Sequence, residues 1–321
     1  MSARSLARAA TALFPASISL LICFFLAACA DSKPNAANDE QEPVRLLLVA
    51  DPFGYVFEEN KKAIEEALGF PVSITLLRYG DTLAAIHRNA QDLSSYYHVV
   101  SFDVMWLGDL VKYDALAELG EGPLLLQDFN PDDYFPLTLE AGRLGNALYG
   151  LPIQPHTELL WYRKDLLEAA GFQPPQTFDA LLEQARYFHD PQNNLYGICW
   201  NGLRGDALGQ TVAHLYAANG QLILDQAGEL QLDNEAGRQV AQLLLELKEV
   251  SPPDILTIAW DQRVDRFAKG EAVFTYGWAA RNQLAEADRA SIVRGKIGYT
   301  APPVNAEVER TYFPLGQWSL G

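Results

Sequence analysis

The chain has 321 residues and a formal net charge of −17, from 41 acidic and 24 basic side chains. So acidic a chain is repelled by nucleic acid and by anionic membrane surfaces, which excludes the polyanion-binding classes. Three cysteines exclude a disulfide-built scaffold, and the length is ample for two separate cores.

Residues 1–28 carry Arg4 and Arg8, no acid, an apolar stretch and small residues just before Cys29, the pattern of a secretory signal. Leu26-Ala27-Ala28-Cys29 is similar to a bacterial lipobox, which implies cleavage before Cys29 and lipid on its thiol. The other readings are a plain signal cut after an Ala-x-Ala-like site and an uncleaved helix, the latter short of the roughly 20 apolar residues a span needs. Losing Arg4 and Arg8 with the signal takes the net charge from −17 to −19. Lipid, then, is the expected route to the membrane, with inner or outer membrane left open. Cys23 departs with the signal and Cys29 is acylated, which leaves Cys199 as a lone buried thiol and predicts no disulfide. Residues 31–43 are polar and read as a tether.

A continuous apolar run predicts a buried strand over 44–50. The loop 51–55 follows, holding Asp51 and Phe53, then a helix with Val56, Phe57, Ala63, Ile64, Ala67 and Leu68 on one face and Gly69 closing it. A strand over 72–77, a helix over 82–93 and a strand over 99–106 complete an alternating order that predicts a mostly parallel sheet with helices on both faces. Ligands of such sheets sit beyond the carboxyl ends of the strands. This makes 51–55 and the segment from Trp106 to Asp109 candidate binding loops; for Trp106 the alternative is a core aromatic at a strand end. Helix and return loop are expected over 113–128, and a helix over 134–144.

The segment 149–167 organises the rest. Pro152 and Pro155 remove backbone donors and bias their predecessors to extended geometry, so it reads as a strand interrupted by a polar patch, Gln154, His156, Thr157 and Glu158 among it. Such a strand suits a passage between two bodies beside a wet cleft; an ordinary surface loop feeding a core strand is the other reading. Beyond it, Thr177 caps a helix whose Phe178, Leu181, Leu182, Ala185 and Phe188 face inward. A strand over 196–200, a polar glycine-bearing loop over 201–206, and a helix capped by Asn234 with Val240, Leu243, Leu244 and Leu247 inward follow. A segment over 260–269 is closed by Gly270, and a second crossing strand runs over 272–278.

The order of residues resembles the extracellular solute-binding proteins of carbohydrate ABC transporters, the group that includes the maltodextrin-binding proteins. The motifs are Tyr149-Gly150-Leu151-Pro152, Trp161-Tyr162-Arg163-Lys164-Asp165-Leu166-Leu167, Ala170-Gly171 with Pro174-Pro175, and Asp103-Val104-Met105-Trp106. Trp260, Phe267 and Gly270 continue the match, as do Gly295-Lys296-Ile297-Gly298-Tyr299 and the closing Gly316-Gln317-Trp318-Ser319, where Gln317 replaces the pattern's second glycine. The resemblance spans roughly 44–321. It implies an α/β, two-lobe periplasmic-binding-protein fold of type II, maltodextrin-binding-like, with a hinge and an interlobe cleft. Lobe 1 is expected over 44–153 and 277–315, lobe 2 over 154–276. The resemblance also implies a further helical stretch after 321 that completes lobe 2. Without it, the apolar faces of 178–188 and 240–247 are expected to be partly uncovered.

By that resemblance the first and third loops face a sugar, Arg204, Asp206 and Gln210 contact it from the second lobe, and Trp278 stacks on a ring, with Trp318 matching as well. Arg204 equally reads as a surface arginine paired with Asp206. His156 stands where maltodextrin binders carry a carboxylate, so monosaccharides, disaccharides and polyols are all open. No His-Glu-x-x-His, Gly-x-Ser-x-Gly or P-loop occurs, so no catalytic set, cofactor or metal is expected. The resemblance implies a monomeric, lipid-anchored protein on the periplasmic or extracytoplasmic face that closes over its sugar and delivers it to permease subunits of an ABC transporter. A secreted glycoside hydrolase and a sugar-sensing lipoprotein without a transporter are the alternatives.

Overall fold

The structure is a computed structural model that describes residues 41–92, 95–119, 129–225, 227–308 and 314–321. The expected signal, Cys29, most of the expected tether, and Leu93 and Phe313 of the expected elements lie outside the described residues. The chain divides into two compact units, Met1–Pro155 with Gln317–Gly321, and His156–Gly316.

Unit 1 opens with β1 (Val44–Val49), the expected apolar strand, whose Leu46, Leu47 and Leu48 are fully buried. β2 (Val72–Leu77) and β3 (Val99–Asp103) flank it, both parallel to it, in registers Val44↔Val72 and Leu46↔Val99. The chain's last strand, Leu315–Leu320, joins antiparallel to β3 through Trp318↔Asp103 and Leu320↔Ser101. The helix expected across 56–68 is two helices, α1 (Pro52–Glu59) and α2 (Lys61–Leu68). Asn60 breaks it, its side chain donating to the Val56 carbonyl at 2.8 Å in competition with the helix ladder. α3 (Tyr79–Gln91) covers the sheet through Ala85 and Ile86. β3 ends three residues sooner than expected, because the Asp103 carboxylate accepts from the Met105 N–H and caps a 3₁₀ turn over Val104–Trp106; α4 (Leu107–Lys112) follows.

Residues 113–119 hold no helix, and 120–128 lie outside the described residues. The helix expected over 134–144 is reduced to α5 (Pro136–Glu140). Gly145, at φ 63°, and Asn146 instead turn a small hairpin between β4 (Arg143–Leu144) and β5 (Ala147–Leu148).

β6 (Leu151–Arg163) is a single strand of 13 residues that carries the chain from unit 1 into unit 2, both prolines included. Within unit 2 it pairs antiparallel with β8 (Ala272–Trp278) and with β9 (Ile297–Thr300), while β7 (Tyr196–Cys199) runs parallel to β8. Around this sheet lie α6 (Lys164–Ala170), α7 (Phe178–Phe188), α8 (Asp206–Ala218), α9 (Glu235–Glu249), α10 (Trp260–Ala268) and the short α11 (Asn282–Glu286). Thr177 and Asn234 cap α7 and α9 as expected, accepting from the Ala180 and Gly237 N–H groups. The last strand, β10 (Leu315–Leu320), returns the chain to unit 1 after Gly316.

One boundary falls elsewhere than expected. Residues 277–315, expected in lobe 1, fall in unit 2, because β8 and β9 both hydrogen-bond to the part of β6 that lies there. Of the apolar faces of 178–188 and 240–247, expected to be partly uncovered, Leu181, Ala185 and Leu247 are fully buried, Phe178, Leu182, Val240 and Leu243 nearly so, and Phe188 and Leu244 are half-buried against the unit 2 core.

Candidate functional site

In unit 1 the carboxyl ends of β1, β2 and β3 deliver Asp51 and Phe53, Tyr79, and Asp103 with Trp106 to one place, where Trp318 of β10 joins them. Gly54 lets this happen: a Cβ there would stand 2.2 Å from the Val49 carbonyl oxygen, so only glycine allows α1 to start hard against the end of β1. The four rings pack edge to face or tilted. Trp106 lies 4.6 Å from Tyr79 and 5.7 Å from Trp318 between centroids, and Phe53 lies 5.6 Å from Trp318.

Two carboxylates stand behind the rings. Trp318 Nε1 donates to Asp51 Oδ2 at 3.0 Å, and the Tyr79 hydroxyl donates to Asp103 Oδ2 at 3.0 Å. Burial pushes the Asp103 carboxyl above the usual range and the neighbouring Asp51 charge adds to that, against the opposing Met105 N–H and Tyr79 hydroxyl. Asp51, Phe53, Trp106 and Trp318 are thus brought together, all as buried groups. Asp109 is apart from them: it is half exposed on α4, and its carboxylate meets His87 Nε2 at 2.8 Å. Gln154 is half-buried on β6. Gln317 turns into unit 1, donating to the Thr138 carbonyl at 2.8 Å and to Ser319 Oγ at 3.0 Å.

In unit 2, Trp278 and His156 form a half-exposed pair with ring centroids 4.8 Å apart and planes at 89°. Gly316 lies against both, since a Cβ there would stand 2.5 Å from His156 Nε2 and 3.1 Å from Trp278. The close backbone approach of the closing motif therefore falls on Gly316, and Gln317 does not disturb it. Thr157 Oγ1 donates to the Pro314 carbonyl at 3.1 Å, tethering the same segment. Arg204 and Asp206 are exposed at the start of α8.

Gln210, half-buried on α8, leads to a cluster that sequence reasoning missed. Its Nε2 donates to Glu158 Oε1 at 3.0 Å, and its Oε1 accepts from Trp260 Nε1. Glu158, 1% exposed, also takes Arg263 Nη2 at 2.7 Å and His214 Nδ1 at 2.9 Å. Burial alone would raise the Glu158 carboxyl, but the Arg263 charge and the His214 contact outweigh it and hold the group at about 2. One signal for the cluster was available: Arg263 shares its helical face with the core residues Val264 and Phe267, an inward position that a lone arginine does not occupy. Among the described residues no group of three His, Cys, Asp or Glu side chains could hold a metal ion.

Residues 94–319 match the family of bacterial extracellular solute-binding proteins. The chain belongs to that family. Among curated relatives it is 27% identical over 267 residues to a probable amino-acid ABC transporter periplasmic-binding protein of Sinorhizobium fredii, covering 80% of this chain and 59% of the relative. It is 24% identical over 214 residues to the mannitol-binding protein of Pseudomonas aeruginosa, covering 63% of this chain and 48% of that protein. Among solved structures, an ABC transporter solute-binding protein of Agrobacterium radiobacter K84 in complex with ribitol is 26% identical, with a TM-score of 0.76 over 87% of this chain and 72% of that one. The fold is that of the ABC transporter solute-binding proteins, α/β with sheets covered by helices. The chain spans only about half to three-fifths of the length of these two curated relatives.

Proposed function

We propose that this chain is an extracytoplasmic solute-binding lipoprotein that captures a sugar or polyol and passes it to the permease of an ABC transporter, without turning it over. The observation that carries the reading is the half-exposed Trp278 ring, held edge-on by His156 and backed by Gly316. An indole face offers negative charge density to sugar or polyol C–H groups, while an imidazole bonds their hydroxyls. The ribitol complex of the Agrobacterium protein and the mannitol-binding relative support the polyol side of that class. Capture by closure of the two units, with a population shift toward the closed state, rests on the family resemblance. So do the solute contacts of Asp51, Phe53, Trp106, Asp109, Gln154, Thr157, Arg204, Asp206, Gln210 and Trp318, and the monomeric state.

Delivery from the extracytoplasmic face is supported by the signal and the Leu26-Ala27-Ala28-Cys29 lipobox, with lipid on Cys29 as the anchor. Among the described residues no helix is long and apolar enough to cross a membrane. Calorimetric titration with ribitol, D-mannitol, maltose and the common amino acids tests the reading. Saturable binding of a polyol or sugar, recovered chemically unchanged, supports it. Binding of an amino acid alone overturns the solute class, and cleavage of a chromogenic glycoside overturns the binding-only role.

A further inference from the structure

We infer that Glu158 is a positioning residue which fixes the donor–acceptor sense of the Gln210 amide, and through it the Trp260 indole, on the solute face of unit 2. The inference rests on the proposed function for the word solute, and on geometry for the rest.

A glutamine amide is nearly symmetric in shape, so packing alone does not decide which end is oxygen and which is nitrogen. Its neighbours decide it. Here Gln210 lies between two groups that each have a single sense: an ionised carboxylate only accepts, and an indole N–H only donates. Gln210 must therefore turn Nε2 toward Glu158 Oε1, at 3.0 Å, and Oε1 toward Trp260 Nε1. One amide N–H and one carbonyl lone pair remain on this half-buried side chain. Together they supply a donor and an acceptor, which matches a hydroxyl that both accepts and donates.

Glu158 is well suited to impose that choice. It is 1% exposed and its carboxylate is fixed on both oxygens, Oε1 by Arg263 at 2.7 Å and Oε2 by His214 at 2.9 Å. Those partners come from α8 and α10, so the carboxylate ties β6 to both helices. On the β6–β8 ladder its cross-strand partner is Trp278, which places the carboxylate on the same sheet face as the ring that His156 touches. A buried ion pair is a poor way to gain stability, because well-packed apolar groups of the same volume do as well or better. Retaining one here is explained by the geometry it enforces.

The substitution Glu158→Gln keeps the shape and replaces the obligate acceptor with an amide that can present either end, so Gln210 loses one of the two groups that fix its sense and holds the Trp260 indole less firmly. The readout is the indole N–H signal of Trp260 in a two-dimensional nitrogen–proton spectrum, assigned with Trp260→Phe. In Glu158→Gln that N–H should exchange with water about tenfold faster, while the Trp200 indole, bonded to Ser251 Oγ at 2.9 Å, stays unchanged. If Glu158→Gln does not fold, Glu158→Gln with Arg263→Met removes the unpaired buried cation and is read in the same way. A folded variant whose Trp260 signal is unmoved overturns the inference. Affinity for ribitol and D-mannitol forms the second arm: loss of one hydrogen bond should weaken binding about tenfold. If the unsubstituted chain binds neither probe, it is the solute class that fails, and the indole signal still decides the role of Glu158.

Discussion

His156 stands edge-on to Trp278 at 4.8 Å between ring centroids, and the backbone of Gly316 closes against both rings. Nothing larger than hydrogen fits on Gly316 without moving one ring or the other. In Gly316→Ala the new methyl would meet His156 Nε2 at 2.5 Å, so the pair should open and the tryptophan emission should shift. Overpacking of this kind costs about 1–3 kcal/mol, seen as a lowered urea midpoint. An unchanged emission spectrum and midpoint would show that the pair is not held there.

Glu158 should make the fold acid-sensitive in a defined window. Its carboxyl is held at about 2 against an ordinary 4.5, so the folded state favours the ionised form. That contribution is fully present above the unfolded value and is lost as the pH falls from 4.5 toward 2. At about 1.4 kcal/mol per unit it is on the order of 3 kcal/mol. Urea melts at successive pH values should show this loss in the parent chain and not in Glu158→Gln with Arg263→Met. The same loss in both would assign the acid response elsewhere.

Asp103 carries the opposite sign. Burial and the Asp51 charge raise its folded carboxyl above the unfolded value, so ionisation of Asp103 opposes folding, and protonation relieves that cost as the pH falls. Asp103→Asn removes the charge while its Oδ1 still accepts from the Met105 N–H and its Nδ2 donates to the Tyr79 hydroxyl oxygen, reversing the sense of that bond. It should be neutral or stabilising at pH 7 by urea melt, and lose that advantage in acid. A clear destabilisation at pH 7 would mean the Asp103 charge itself holds the aromatic cluster.

Cys199 should be inert. It is fully buried, and burial pushes its thiol up to about 12, so almost no thiolate forms at neutral pH. An aromatic disulfide reagent should label Cys199 only after denaturation. Rapid labelling of the native chain would show that unit 2 opens around β7.

Legibility in the sequence followed the range of the forces involved. The β1 run, the Thr177 and Asn234 caps and the β6 crossing were readable because each depends on neighbours in sequence. The split at Asn60 and the Gly145–Asn146 hairpin were also local, and were overridden only by a helical period read too far. By contrast, the pairing of β9 with β6, which goes with the placing of 277–315 in unit 2, depends on contacts remote in sequence. Beyond the inward position of Arg263, the Glu158 cluster was illegible for the same reason: Gln210, His214 and Arg263 reach it from helices far along the chain. Trp106 and Trp318 were expected to contact solute, with a core aromatic at a strand end as the other reading for Trp106. Their burial was a matter of ring packing, which residue type alone does not give.

Thermal unfolding of residues 30–321, with and without ribitol, D-mannitol, sugars and amino acids, tests the central claim most directly. A polyol or sugar present at 100 times its Kd should stabilise the chain by about 2.7 kcal/mol and raise the midpoint, and Trp278→Ala should abolish the rise. A cooperative melt that no polyol or sugar shifts, or a shift that survives in Trp278→Ala, would contradict the account.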